Sequence, residues 1–206
     1  ASGLVLGPLG YTHCCIEDIG VLRSIPNLTI ISPADGLELV KALIASFKHN
    51  QSVYLRLTGS SNAPIIYEKD YKFEIGKSVT LKKGKDVTIF ANGNMVNIAI
   101  EVSKKLKEKK IEASVINVHT IKPIDVSVIK KNLKSKLFVS IEEHNIIGGL
   151  GSAISEVTAT FKNSPKHLFF GVNDEYAFSG DYNFLLKKYG LTTEKISKKI
   201  KDNLKI

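Results

Sequence analysis

The apolar residues of positions 27–57 follow a strand pattern, then a helical one, then a strand pattern again. NLTIIS (27–32) is a short apolar run, which predicts a buried strand. SPADGLELVKALIASFKH (32–49) has helical spacing, with Ser32 as the expected N-cap and a proline in the first helical position. SVYLRLT (52–58) alternates and is rich in β-branched and aromatic residues, so we expect a second strand. The stretch 59–71 has the Gly, Ser, Asn and Pro content of a linker.

From Gly76 onward, predicted strands and helices alternate regularly. The strands lie within KDVTIFANG, IEASVINVHT (111–120), SKLFVSIEEH and KHLFFGVN, and helical patterns separate them and close the chain. Nearly continuous apolar strands between helices predict a mostly parallel sheet covered on both faces. We therefore expect an α/β protein in which residues 76–206 form a complete Rossmann-like domain. Residues 1–70 hold two strands and one helix, which are too few to close a sheet, and we expect a fragment of a domain there.

The composition narrows the class of protein. Of the 206 residues, 43% are hydrophobic and 24% are charged, which is typical of a globular chain. No apolar run reaches the roughly 18–20 residues that cross a bilayer, and the first residues lack the basic region of a signal peptide, so we expect no membrane segment. The net charge of +9 comes from lysines spread along amphipathic helical stretches such as 103–110 and 194–205. This spread is typical of solvated helix faces, and we expect no nucleic-acid partner.

The two cysteines, Cys14 and Cys15, are adjacent. Neighbouring Cα atoms lie about 3.8 Å apart, whereas a disulfide prefers about 5.5 Å, so we expect free thiols and a reducing, cytoplasmic location. A metal site formed by His13 and these cysteines would need further soft ligands, and the chain has no other cysteine. We therefore expect no metal site, and we expect the two cysteines to be packing residues.

His13 and Arg56 are the first candidates for chemistry. An imidazole moves protons near neutral pH, which suits His13 to acid–base work. Arg56 lies near the C-terminal end of the predicted strand 52–58, where open α/β sheets place ligand contacts. The alternative is that Arg56 is a surface arginine. Glu17 and Asp18 resemble a paired-carboxylate site, but adjacent side chains diverge, and we expect one to face an interface and the other to face solvent.

The stretch EEHNIIGGLG (142–151) is a glycine-rich loop between a predicted strand and a predicted helix. Helix N-termini attract anions, which makes the loop a candidate nucleotide site. Its glycines follow GG-x-G rather than the G-x-G-x-x-G of dinucleotide-binding folds, so the pattern favours a structural loop.

Several stretches resemble the C-terminal half of the thiamine-diphosphate-dependent transketolase superfamily. GYTHCCIEDIGVLRSIPNLTIISPADGLE (10–38) is similar to the end of the pyrimidine-binding domain, which reads G-P-T-H, an acid, L-R, I-P-N-M and P-x-D-x-x-E. KDVTIFANG, HTIKPID, SIEEHNIIGGLGS and GVNDEYAFSGDYNFLLKKYGLTTEKI resemble the C-terminal domain. The order and spacing agree over essentially the whole chain. The resemblance implies that 1–70 is the C-terminal part of a pyrimidine-binding domain and that 76–206 is a transketolase C-terminal domain.

The resemblance also implies a function: transfer of a two-carbon ketol unit between sugars or sugar phosphates. His13 would face the reacting end of the substrate, and Arg56 would hold its phosphate or hydroxyls. Thiamine diphosphate and Mg²⁺ would serve the intact enzyme, with their binding residues outside this chain, in a preceding region or on a complementary N-terminal subunit. The active site would lie at a dimer interface, and this chain alone is expected to be inactive.

Two departures and several alternatives accompany this expectation. Leu9 stands where the family commonly has an Asp that hydrogen-bonds a donor-sugar hydroxyl, and Tyr11 replaces the usual proline, which points to a variant sugar or a less hydroxylated substrate. His119 and His144 are expected to be structural, since the family's C-terminal domain mainly supports dimerisation. The alternatives are a deoxyxylulose-phosphate synthase, the β subunit of a 2-oxo-acid dehydrogenase, and a non-catalytic α/β assembly or regulatory module.

Overall fold

A computed structural model describes residues 1–59 and 64–205, and it contains two β-sheets with helices packed around them. The strands are β1 (Leu28–Ile31), β2 (Ser52–Leu55), β3 (Val79–Lys82), β4 (Val87–Ala91), β5 (Ala113–Asn117), β6 (Thr120–Lys122), β7 (Leu137–Asn145) and β8 (Lys166–Val172). The helices are α1 (Asp18–Leu22), α2 (Gly36–Phe47), α3 (Met95–Lys107), α4 (Val126–Lys131), α5 (Leu150–Thr158), α6 (Tyr182–Tyr189) and α7 (Thr193–Leu204), and a 3-10 turn covers Gly7–Leu9. Over the described ranges, none of these helices is long and apolar enough to cross a bilayer.

The large sheet has the strand order β3-β5-β4-β7-β8 and confirms the expected α/β fold. Strands β5, β4, β7 and β8 are parallel, and β3 runs antiparallel to β5 at one edge. Side chains of α3, α6 and α7 cover one face of the sheet in a single apolar core. A second core, which includes Phe90, Phe138, Leu150 and Ile154, covers the other face beneath α4 and α5. Because helices cover both faces of the sheet, its strands are apolar on both sides, which explains their nearly continuous apolar runs in the sequence.

The small sheet has the order β2-β1-β6 and joins the two halves of the sequence. Strands β1 and β2 are parallel, whereas β6 pairs antiparallel with β1. The single strand expected at 111–120 is therefore wrong at its end, because β5 stops at Asn117 and the chain crosses to the small sheet at Thr120. Ser32 donates its N–H to the carbonyl oxygen of His119 at the crossing point, 2.7 Å away.

Helix α2 begins later than the sequence pattern predicts. Its N-cap is Asp35, whose carboxylate accepts the Glu38 N–H at 2.8 Å, and not Ser32. The backbone of Ser32 is instead engaged with the crossing segment, which keeps this part of the chain out of the helix. Of the expected linker, residues 60–63 lie outside the described residues. In its described part, the N–H groups of Ile66 and Tyr67 both donate to Asp35 at 2.9 Å.

The N-terminal segment packs into the core of the large sheet. Leu4, Cys14 and Ile16 are buried in the same apolar cluster as Val139 and the other inward side chains of that face. The first residues of the chain are thus held by the second half of the sequence, and this contact positions the loop that carries His13.

Candidate active site

His13 lies in an exposed loop that follows the 3-10 turn. Its backbone N–H donates to the Gly10 carbonyl oxygen at 3.0 Å, and its ring Nδ1 lies 2.9 Å from Thr12 Oγ1. Gly10 has a φ of +76°, a left-handed conformation that favours glycine, so this turn depends on that residue type. The fold therefore presents the imidazole to solvent on a hydrogen-bonded turn.

Arg56 follows β2 directly, but its side chain is buried, and only 2% of the residue is exposed. Its Nε and Nη2 donate to the two carboxylate oxygens of Asp18 at 2.8 and 3.0 Å. Nη2 also donates to the carbonyl oxygens of Cys15 and Glu143, and the Tyr54 hydroxyl donates to Asp18. The guanidinium is therefore paired and almost fully buried, and the substrate contact expected of Arg56 stays a prediction.

Glu17 and Asp18 have separate environments and form no paired-carboxylate site. Glu17 is exposed, and its carboxylate accepts the Ile16 N–H at 3.0 Å. Asp18 is buried against Arg56, so the expectation that both acids face solvent or an interface is wrong for Asp18. A buried guanidinium needs a buried carboxylate beside it, and Asp18 supplies that charge.

Cys14 is buried, Cys15 is exposed, and both thiols are free. Burial raises the pKa of the Cys14 thiol, and the Glu143 carboxylate raises it further. Burial also raises the pKa of Cys15, with an added contribution from Asp18. Both thiols are therefore protonated at neutral pH, and neither has the electropositive surroundings of a reactive cysteine.

Two buried glutamates, which the sequence patterns did not single out, lie near the end of β7. The carboxylate of Glu142 accepts the N–H groups of Leu150 and Gly151 at 2.6 and 2.9 Å, at the N-terminus of α5. Burial raises the pKa of Glu142 and of Glu143 to about 7, against the hydrogen bonds that lower it. The loop 142–151 therefore offers no open anion site at α5, because the protein's own carboxylate occupies it. The sequence signal was a pair of acids inside an apolar strand.

His144 and His119 lie in the interior. His144 Nδ1 faces the Asn145 carbonyl oxygen at 2.6 Å and its Nε2 accepts the Gly20 N–H at 3.2 Å, which fixes the neutral tautomer with the proton on Nδ1. Burial lowers its pKa. His119 stacks on Phe73 with ring centroids 4.3 Å apart, and burial lowers its pKa to about 4. Both imidazoles are uncharged at neutral pH, which is consistent with the structural roles expected of them.

Exposed apolar side chains border the His13 loop and form a surface that we call the aromatic rim: Leu9, Tyr11, Tyr176, Phe178 and Phe184. The rings of Tyr11 and Tyr176 lie 5.6 Å apart. The two chain segments are joined where Gly180 donates its N–H to the Gly7 carbonyl oxygen at 3.1 Å. The sequence pointed to Leu9 and Tyr11 only, since the other rim residues are far away in the chain and meet them through the tertiary fold.

A pocket of about 250 Å³ opens at the carboxyl ends of β1 and β2, beside the N-terminus of α2. Open parallel sheets commonly bind ligands at this edge. Its lining includes Ala34, Gly36, Thr58, Gly59 and Asn94, together with part of Arg56. His13 does not line this pocket, so the two sequence candidates do not converge on it.

Four helix N-termini in the described ranges are closed to the diphosphate end of thiamine diphosphate, whereas the N-terminus of α3 has no side-chain cap. Within residues 1–59 and 64–205, no group of three His, Cys, Asp or Glu side chains is placed to hold a metal ion. The first turns of four helices are already occupied by carboxylates, those of Asp35 (α2), Asp125 (α4), Glu142 (α5) and Asp181 (α6). An open helix N-terminus attracts phosphate, but one held by a carboxylate repels it. No reaction step through the cofactor follows from this chain.

The fold defines a two-part α/β protein in which a strand from the C-terminal half completes the sheet of an N-terminal fragment. Residues 76–196 match the family model "Transketolase, C-terminal domain", and residues 2–63 match "Transketolase, pyrimidine binding domain". The chain therefore belongs to the transketolase family and corresponds to its C-terminal half.

Named relatives agree with this assignment. The chain is 39% identical over 206 residues to a "Putative transketolase C-terminal section" of Methanocaldococcus jannaschii, covering 99% of this chain and 64% of that protein. It is 34% identical over 200 residues to one of the subunits of an apulose-4-phosphate transketolase of Phocaeicola vulgatus, covering 96% and 63%. The solved structure "Split gene transketolase, inactive beta4 tetramer" superposes with a TM-score of 0.85 at 34% identity, over 93% of this chain and 62% of that chain. The chain thus spans less than two thirds of the length of these relatives.

Proposed function

We propose that this chain is the C-terminal part of a transketolase that transfers a two-carbon ketol unit between sugars or sugar phosphates. Family membership and the names of the relatives support the reaction class. The observation that carries the site is the exposed imidazole of His13 on a fixed loop, whereas Asp18 and His144 are buried and paired. A proton-transfer residue must reach the substrate, and His13 meets that requirement.

Ketol transfer needs a proton to leave a donor hydroxyl as a carbon–carbon bond breaks. A proton must then reach the acceptor carbonyl oxygen as the new bond forms. We assign both transfers to His13: the neutral ring accepts the first proton and the charged ring donates the second. The hydrogen-bonded turn from Gly10 to His13 limits the loop's freedom, which favours a fixed placement of the ring for these transfers.

The test is His13→Ala in the assembled enzyme. We expect turnover to fall by about 10²–10⁴-fold, the usual contribution of a general acid–base group. His49→Ala is the matched control, because it removes another imidazole that lies outside the candidate site and contacts Thr29. Turnover that stays unchanged in His13→Ala would remove His13 from the catalytic list.

The aromatic rim supports a substrate with fewer hydroxyls on the side that faces Leu9. This exposed side chain cannot hydrogen-bond a hydroxyl in the way a carboxylate would, so a hydroxyl held against it loses a partner. A panel of sugar donors tests this proposal, and equal kcat/KM for deoxygenated and fully hydroxylated donors would contradict it. Consumption of pyruvate would favour a deoxyxylulose-phosphate synthase or a 2-oxo-acid dehydrogenase instead.

We also propose that a complementary part of the enzyme holds Mg²⁺ and the diphosphate, and that this chain alone is inactive. The carboxylate-occupied helix N-termini support this, as do the names of the split relatives. The two free cysteines support a cytoplasmic location, and the two family matches support division of the chain into 1–70 and 76–206.

Calorimetric titration with thiamine diphosphate and Mg²⁺ tests which of the two parts binds the cofactor. We expect no binding to this chain alone and binding once the complementary part is added. Tight binding to the chain alone would contradict the proposal. Cofactor binding without sugar turnover in the assembled protein would favour a non-catalytic module.

A further inference from the structure

Glu143 is a buried carboxylate that bonds outside its own half of the fold. Its Oε1 accepts the N–H of Leu4 at 3.0 Å, across 139 positions of sequence. Asn94 Nδ2 approaches Oε2 at 3.5 Å. Only 2% of Glu143 is exposed, so the Leu4 N–H has no access to water as a substitute partner.

The chain approaches Glu143 so closely that a glycine is required. Gly3 has a φ of +75°, and a Cβ at this position would lie 2.9 Å from the carboxyl carbon of Glu143. Any side chain at residue 3 would therefore be strained and would also push the segment off the carboxylate. The contact thus depends both on the glycine at residue 3 and on the carboxylate of Glu143.

The backbone of Glu143 is linked to the other end of the same segment through Arg56. Its carbonyl oxygen accepts Arg56 Nη2 at 3.0 Å, and the same nitrogen donates to the Cys15 carbonyl oxygen at 3.3 Å. The two ends of the segment are tied directly, because Gly3 donates its N–H to the Cys15 carbonyl oxygen at 2.7 Å. Residues 4–15 thus form a closed loop that carries His13 and rests on Glu143.

We propose that Glu143 is a positioning residue, whose carboxylate sets the placement of the His13 imidazole by holding the start of the loop 4–15. The proposal rests on the proposed role of His13. The adjacent Glu142 is equally buried on the same strand, but its carboxylate bonds α5 within its own half of the fold. Glu143 is therefore the positioning carboxylate, and Glu142 serves only the local structure around α5.

The experiment compares Glu143→Met with Glu142→Met in the assembled enzyme. Methionine is close in size to glutamate but offers no strong acceptor, so Leu4 N–H loses its partner in the first variant only. We expect amide hydrogen exchange to rise in residues 4–15 for Glu143→Met, and at the start of α5 for Glu142→Met. We also expect Glu143→Met to lower kcat by up to about 10²-fold with little change in KM, since small displacements of a reacting group have costs of this size.

The decisive measurement repeats Glu143→Met in the His13→Ala background. A residue that acts through His13 costs nothing further once the imidazole is gone, whereas a general structural role lowers kcat in both backgrounds. Equal losses in the two backgrounds would overturn the proposal, as would unchanged exchange in residues 4–15. Wild-type turnover in His13→Ala would instead defeat the proposed function, and the exchange data would still report on the loop.

Gly3→Ala provides a second route if Glu143→Met does not fold. It disturbs the same contact from the side of the loop and leaves the sequence of β7 unchanged. We expect the same rise in exchange over residues 4–15 and the same dependence on His13. A Gly3→Ala protein with wild-type kcat and a loosened loop would refute the positioning role.

Discussion

Arg56 and Asp18 form a buried ion pair, a role that comes from their burial rather than from their position in the sequence. An arginine at the end of a parallel strand is well placed to meet a ligand. In the fold it forms a bidentate ion pair whose charged groups are 1% and 5% exposed. Taking one partner away would leave an uncompensated charge in the interior, which costs far more than the pair contributes.

Asp18→Ala is therefore expected to destabilise the protein by about 3–5 kcal/mol, because it leaves the Arg56 guanidinium unpaired. Glu156→Ala is the control, since it breaks an ion pair of Arg23 in which Glu156 is 65% exposed. That change should cost no more than about 1 kcal/mol. Urea unfolding gives both values, and equal losses would contradict the assignment of Asp18 to a buried pair.

His119 makes the stability depend on pH. Its folded pKa, about 4, lies below the ordinary value of 6.5, so between these values the unfolded chain binds a proton that the folded chain does not. Its contribution to the free energy of unfolding is complete above about pH 6.5 and is lost as the pH falls towards 4, and it is on the order of 3 kcal/mol. His119→Leu should flatten this rise between about pH 4 and 6.5 in urea titrations. A constant difference from wild type would contradict the burial of a neutral imidazole.

At the scale of elements, periodicity located the long helices and the central strands of the large sheet. It missed β3 and β6, which are short and lie at sheet edges. Edge strands have one open side and need no continuous apolar run, so their pattern is weak. It also placed the start of α2 at Pro33, although the helix begins at Gly36 after the cap Asp35.

Asp35 is expected to matter more than an ordinary helix cap. It accepts the N–H of Glu38 and also those of Ile66 and Tyr67 from the linker. Asp181 caps α6 through the Phe184 N–H and is the matched control. Asp181→Ala should cost about 1 kcal/mol, and Asp35→Ala should cost more because three N–H groups lose their acceptor. Equal losses in thermal or urea unfolding would show that the linker contacts contribute nothing.

At the scale of the whole molecule, the outer face of α2 carries apolar residues that nothing covers in the described chain: Val40, Leu43, Ile44 and Phe47. Their spacing follows one side of a helix, and the opposite side packs inward through Glu38 and Ala42. Contiguous exposed apolar residues commonly mark an interface. This face is therefore a candidate contact for the complementary part of the enzyme proposed above.

Phe47→Glu is expected to weaken association with the complementary part of the enzyme, because Phe47 is 83% exposed and offers a large apolar anchor. A loss of about 10-fold or more in Kd is typical of an anchor residue. Lys130→Gln makes the same change in charge at an exposed position on α4, away from this face. Sedimentation or titration calorimetry gives both Kd values, and equal values would rule out α2 as part of the interface.

The sequence by itself determined the α/β class, the order of the main elements and the family, and it singled out His13 as a candidate. These depend on local periodicity and on motifs that are contiguous in the chain. Only the tertiary structure decided that Arg56 is paired internally, that β6 completes the sheet of the other half, and that Glu143 contacts the segment that carries His13. The physical reason is that burial and pairing join residues far apart in the chain, such as Leu4 and Glu143 at 139 positions, and no local pattern encodes which of them meet.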